Sequence, residues 1–66
     1  MNWDQVEGSW KRQKGKIMSK WGKLTDDDIE SINGKRTELM GIIQSRYGRS
    51  KDQAELEIDN WIEQLS

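Results

Sequence analysis

Apolar residues in the first third of the chain stand at Trp3, Val6, Trp10, Ile17, Trp21 and Leu24. At about 100° per residue these positions fall in a stripe about 60° wide, which predicts an amphipathic helix with one core-facing seam. Asn2 with Gln5 offers a cap for an early start. Gly8 costs about 1 kcal/mol in a helix interior and favours a start near Ser9 instead, so Trp10 to Trp21 is the segment common to both readings. Thr25 followed by Asp26, Asp27 and Asp28 reads as an N-cap with acids in the first turn, where the helix dipole and unpaired amides favour negative charge. A short second helix follows, buried through Ile29 and Ile32, and Asn33-Gly34 ends it in the left-handed conformation that helix C-termini favour.

The third helix runs from about Lys35 to Tyr47, with Leu39, Ile43 and Tyr47 at four-residue steps, and Gly48 stops it. Ser50 with Gln53 forms a capping box for a fourth helix, whose inward face is Ala54, Ile58, Trp61, Ile62 and Leu65. Leu56 falls on its opposite side. Helices this short do not persist alone in water and must share a core. The expected fold is therefore all-α, a compact bundle of four short helices arranged as two packed helical hairpins, in one domain spanning residues 1–66.

Composition sharpens this picture. Leu, Ile, Val and Phe make up only 12 of 66 residues, which brings disorder into view. The net charge of −1 and the four tryptophans point to a folded chain, because there is little self-repulsion and much apolar area per residue. No apolar run reaches membrane-spanning length, and the N-terminal residues lack a secretory pattern, so the expected setting is cytoplasmic with no membrane partner. A monomer is the expected state. The charge is unevenly placed: residues 1–24 carry six basic and two acidic side chains, net +4, and residues 25–66 carry five basic and ten acidic, net −5.

The chemistry-bearing residues exclude much. Without His or Cys, the commonest general base, the thiolate nucleophile and the usual transition-metal ligands are missing. Asp26, Asp28 and Glu30 imitate the first ligands of a calcium loop, yet Ser31 stands where that loop needs Gly and Thr37 where it needs Glu. Gly8 and Gly15-Lys16 imitate a phosphate-binding loop, but the spacing is wrong and Ile17 replaces the magnesium-binding hydroxyl. No catalytic residue, metal or cofactor is expected. Gly8, Gly15 and Gly22 recur every seven residues on the face away from the tryptophans, either as a solvated stripe or as a path for another backbone.

Tryptophans interleaved with basic residues also suit a nucleic-acid grip, since indoles stack on bases while cations neutralise phosphate. Spacing puts Trp10, Trp21 and Trp61 on core stripes instead, with Trp3 the indole expected to be most exposed. Arg12, Lys16, Lys20 and Lys23 cluster within about 80° beside the seam. That face could bind a polyanion weakly, or it could be solvated or paired with the acidic fourth helix.

Gly8, Trp10-Lys11, Lys14-Gly15-Lys16 and Trp21-Gly22-Lys23-Leu24-Thr25 with its Asp run form an ordered set. It continues through Gly34-Lys35, Leu39, Gly41, Gln44, Tyr47-Gly48, Lys51, Ala54-Glu55 and Trp61. This set resembles the CsbD-like family of small bacterial general-stress proteins over nearly the whole chain. The resemblance implies a cytoplasmic protein whose abundance rises under stress and a fold of two short helical hairpins packed roughly crosswise. It brings no catalytic residue, cofactor or ligand with it. Arg12 stands where the family pattern more often has Gln, and Ser19 where Glu is frequent, so the first helix is more basic here. The expected function is non-enzymatic and stress-associated, acting by abundance or by contact with a protein partner. The alternative is a weak, sequence-indifferent binder of nucleic acid or another anionic surface through Arg12, Lys16, Lys20 and Lys23.

Overall fold

A computed structural model describes residues 2–65, and every regular element among them is helical. There are five helices: α1 (Trp3–Gly8), α2 (Trp10–Lys20), α3 (Asp26–Ile32), α4 (Arg36–Tyr47) and α5 (Lys51–Leu65). The expected first helix is thus two. Asn2 and Gln5 do form a capping box that starts α1 early, and the break falls at Ser9, whose backbone leaves helical geometry at φ −115°, ψ 34°. The Ser9 hydroxyl donates to the Gln5 carbonyl at 2.8 Å, a bond back by one turn of the kind that bends helices. Gln13 Nε2 donates to the same hydroxyl at 3.2 Å and fixes the elbow from the other side.

The remaining boundaries follow local chemistry. Thr25 and Asp28 cap α3 reciprocally, each side chain accepting from the other's backbone N–H at 3.1 and 3.0 Å. Asn33 at φ 47° and Gly34 at φ 79° turn the chain left-handed after α3, and Gly48 at φ 66° does so after α4. At α5 the Ser50 hydroxyl accepts from Gln53 N–H at 3.1 Å.

The core draws on all five helices: Val6 from α1, Ile17 from α2, Ile29 and Ile32 from α3, Leu39 and Ile43 from α4, and Ala54, Ile58, Trp61 and Ile62 from α5. Trp21 and Leu24, in the turn after α2, are buried with them. Trp21 leans on Trp61 with ring centroids 5.6 Å apart and planes at 58°, which joins the end of α2 to α5. The arrangement is not two separate hairpins. α4 packs on both α3 and α5, so these three make one unit, and the α1–α2 elbow closes over it.

Trp10 also departs from expectation, because it is half-buried and not in the core. Trp10 shares the phase of Ile17 but is the first residue of α2, at the edge of the core, where it packs against the core only in part and rests against Trp3 at 6.3 Å and 54°. Trp3 is likewise half-buried, with its indole N–H donating to the Gly34 carbonyl at 2.9 Å.

Candidate polyanion-binding surface

α2 carries Lys11, Arg12, Lys14, Lys16 and Lys20 with no acidic residue along its length. Ile17 and Gln13 are drawn into the core, and the flank of the helix beside them is open to solvent. Arg12, Lys16 and Lys20 are all exposed there and, among the described residues, enter no ion pair. At 1.5 Å rise per residue they form a row about 12 Å long.

Lys23, the fourth residue of the expected cluster, is placed differently. α2 ends at Lys20, and Lys23 lies in the following turn. Its backbone N–H donates to the Tyr47 hydroxyl at 3.0 Å and its ammonium sits 5.1 Å from the Tyr47 ring centroid. Arg49 lies 5.6 Å from the same ring. The structure therefore brings Arg12, Lys16 and Lys20 together and draws Lys23 towards Tyr47.

Four other cations do hold carboxylates. Lys14 pairs with Glu30 at 2.8 Å, Arg36 with Asp59 at 2.8 Å and Glu55 at 3.8 Å, and Arg49 with Glu57 at 3.0 Å. Arg46 grips Asp28 through two nitrogens at 3.0 and 2.8 Å. The acids of α5 that pair in this way thus take partners from α4 and the α4–α5 turn, not from the basic face of α2.

The Arg46 guanidinium, with the Thr25 N–H beside it, lowers the Asp28 carboxyl from 3.8 to about 2 against the opposing effect of burial. Asp28 in turn raises Arg46. A carboxylate held this far below neutrality neither gives nor takes a proton near pH 7, and its role is to cap α3 and clamp α4. Glu57 is similarly committed, with its second oxygen accepting from the Trp21 indole N–H at 3.4 Å. Among the described residues no group of three His, Cys, Asp or Glu side chains converges as a metal would require.

Two clefts border the cation row. One, at the elbow, is lined by Gly8, Ser9, Trp10, Lys11 and Arg12. The other lies between α2 and α5, with Lys16 and Lys20 on one wall and Trp61, Gln64 and Leu65 on the other. Sequence periodicity put these cations on one side of the helix but did not show the clefts, because the approach of α5 to α2 is a tertiary fact and the bend at Ser9 sets the elbow's shape.

These features define a small helical protein with one unpaired basic face and no helix, among the described residues, long and apolar enough to cross a membrane. The chain belongs to the CsbD-like family, which residues 4–55 match. It is 59% identical over 61 residues to UPF0337 protein YjbJ of Escherichia coli O6:H1, covering 92% of this chain and 88% of that protein. The YjbJ protein of Salmonella typhimurium is 57% identical over 61 residues, covering 92% and 87%. A UPF0337 protein of Rhodopseudomonas palustris is 51% identical over 65 residues, or 98% of each chain. None of these names assigns an activity.

Proposed function

We propose that this protein is a non-enzymatic, stress-associated protein of the cytoplasm, acting by abundance or by contact, and that its contact surface is the basic face of α2. The observation that carries the contact reading is the alignment of three cations: Arg12, Lys16 and Lys20 stand exposed and unpaired in one row, whereas Lys14, Arg36, Arg46 and Arg49 each hold a carboxylate and other exposed, unpaired lysines, Lys11, Lys35 and Lys51, lie outside the row. The chemistry such a row recognises is a series of phosphates or other fixed anions. Membership of the CsbD-like family supports the stress association. The commitment of the perturbed Asp28 to a cap and an ion pair supports a role without catalysis.

A titration of labelled duplex DNA at several salt concentrations tests the surface. Each neutralised phosphate adds about −0.9 to the slope of log K against log salt, so three contacts give a slope near −2.7, and near −3.6 if Lys23 leaves Tyr47 to join them. The expected binding is sequence-indifferent, confined to low salt, and lost when Arg12, Lys16, Lys20 and Lys23 are all changed to Gln. The net −5 of residues 25–66 opposes approach at higher salt. In bacteria deleted for their own copy, stress survival restored by the wild-type chain but not by this four-residue variant would support action through the surface. Equal rescue by both would leave abundance alone as the account.

A further inference from the structure

We propose that the polyanion this surface takes is single-stranded nucleic acid, with unstacked bases entering the clefts at either end of the cation row. The inference rests on the α2 surface reading above and adds to it a requirement for bases. A chain of phosphates alone engages only Arg12, Lys16 and Lys20. Each of the two clefts, however, sets apolar surface directly beside those same cations.

At the elbow, Trp10 shares a cleft with Lys11 and Arg12. Its indole is half-buried, so part of the ring is open to a ligand. The remainder leans on Trp3, which is itself tied to Gly34, so the plane of the ring is set before anything binds. Gly8 also lines this cleft, and the space beside its Cα is open. At the other end, Lys16 and Lys20 face Trp61 and Leu65 across the α2–α5 groove, with the Gln64 amide alongside. Trp61 is only 4% exposed, so this cleft offers an apolar wall and not a free indole face.

A phosphate backbone lying along the row, itself about 12 Å long, therefore has a place for a base in each of the clefts that border it. In a duplex the base faces are hidden in the stack, and in polyphosphate there are none. Only a single strand presents phosphates and open base faces together, and aromatic stacking of this kind is sequence-tolerant because every base has a π-face.

The test measures binding of the full-length chain at low salt to three probes of equal phosphate number: a non-pairing oligonucleotide, the corresponding duplex and inorganic polyphosphate. The strand should bind about tenfold more tightly than polyphosphate, the increment that one stacked base supplies. Trp10→Leu, which keeps an apolar side chain against Trp3, should remove that advantage and leave polyphosphate binding unchanged. Should Trp10→Leu fail to fold, Leu65→Gln at the other cleft is the substitute, with a smaller loss of the same kind. Equal binding of strand and polyphosphate by the wild-type chain would overturn this inference and leave the α2 surface reading intact. A strand preference that survives the substitution tested would overturn the assignment to these clefts. Failure of all three probes to bind would overturn the surface reading along with it.

Discussion

Gln13 is 1% exposed, and its side-chain oxygen has no hydrogen-bond partner, although its amide nitrogen is bonded to Ser9. A buried acceptor left without a donor costs about 1–3 kcal/mol. Gln13→Met keeps the length of the side chain and removes that oxygen. The Ser9 hydroxyl retains its own bond to Gln5, so the elbow keeps its main tie. The substitution should raise stability by about 1 kcal/mol, read as a higher urea midpoint with an unchanged slope. A lower midpoint would show that the oxygen is satisfied, as by an ordered water. The burial of Gln13 was not read from the sequence. Gln13 lies three residues after Trp10 and four before Ile17, in the gap of the apolar seam, so periodicity pointed inward while residue type pointed outward. Trp21 and Trp61 were legible because spacing and residue type agreed. Trp10 was not, since phase fixes the side of α2 it occupies but not that this first residue of the helix lies at the edge of the core.

Most element boundaries could be read locally, because a cap is satisfied within a few residues of itself. Thr25, Asn33-Gly34, Gly48 and Ser50 all act where the sequence placed them. The break at Ser9 was legible in part: Gly8 pointed to a start near Ser9 and Asn2–Gln5 to a cap before it, but the apolar seam runs through both without losing phase and hid that the two starts belong to two helices. Glycines separate the two kinds of position. Gly15 sits in α2 in open space, and Gly15→Ala should stabilise the protein by about 0.5–1 kcal/mol through helix propensity. Gly34 is at φ 79°, and an added Cβ would lie 3.2 Å from Cγ of Glu7. Gly34→Ala should destabilise by about 1–2 kcal/mol, the cost of the left-handed region for a side-chain-bearing residue. Thermal unfolding of the two variants side by side checks both signs. A neutral Gly34→Ala would mean that the α3–α4 turn does not hold its left-handed form.

For the molecule as a whole, the charge imbalance between its two parts was legible, but its resolution in space was not. Counting charges along the chain suggested pairing between the basic first helix and the acidic last one. The fold instead gives α5 the arginines at 36 and 49 and leaves Arg12, Lys16 and Lys20 on the flank of α2 unpaired. Likewise, short connections implied hairpins, but only packing could show that α4 is shared between two neighbours. That sharing divides the molecule by how its parts can come undone. Any opening that separates α4 from α3 or α5 exposes Leu39 and Ile43, both fully buried, and so amounts to global unfolding. α1 is only six residues long, and besides the buried Val6 it is held by the Trp3 indole bond to Gly34 and the Trp3–Trp10 contact. It can detach while α3, α4 and α5 stay together, so backbone amides of α1 should exchange with deuterium well before those of Leu39 and Ile43. Equal protection at all these amides, followed by NMR, would show that α1 leaves only when everything does. If it leaves first, the open form bares more of the Trp10 ring, and the protein's exposure of that indole is set by a local opening equilibrium and not by the closed structure alone.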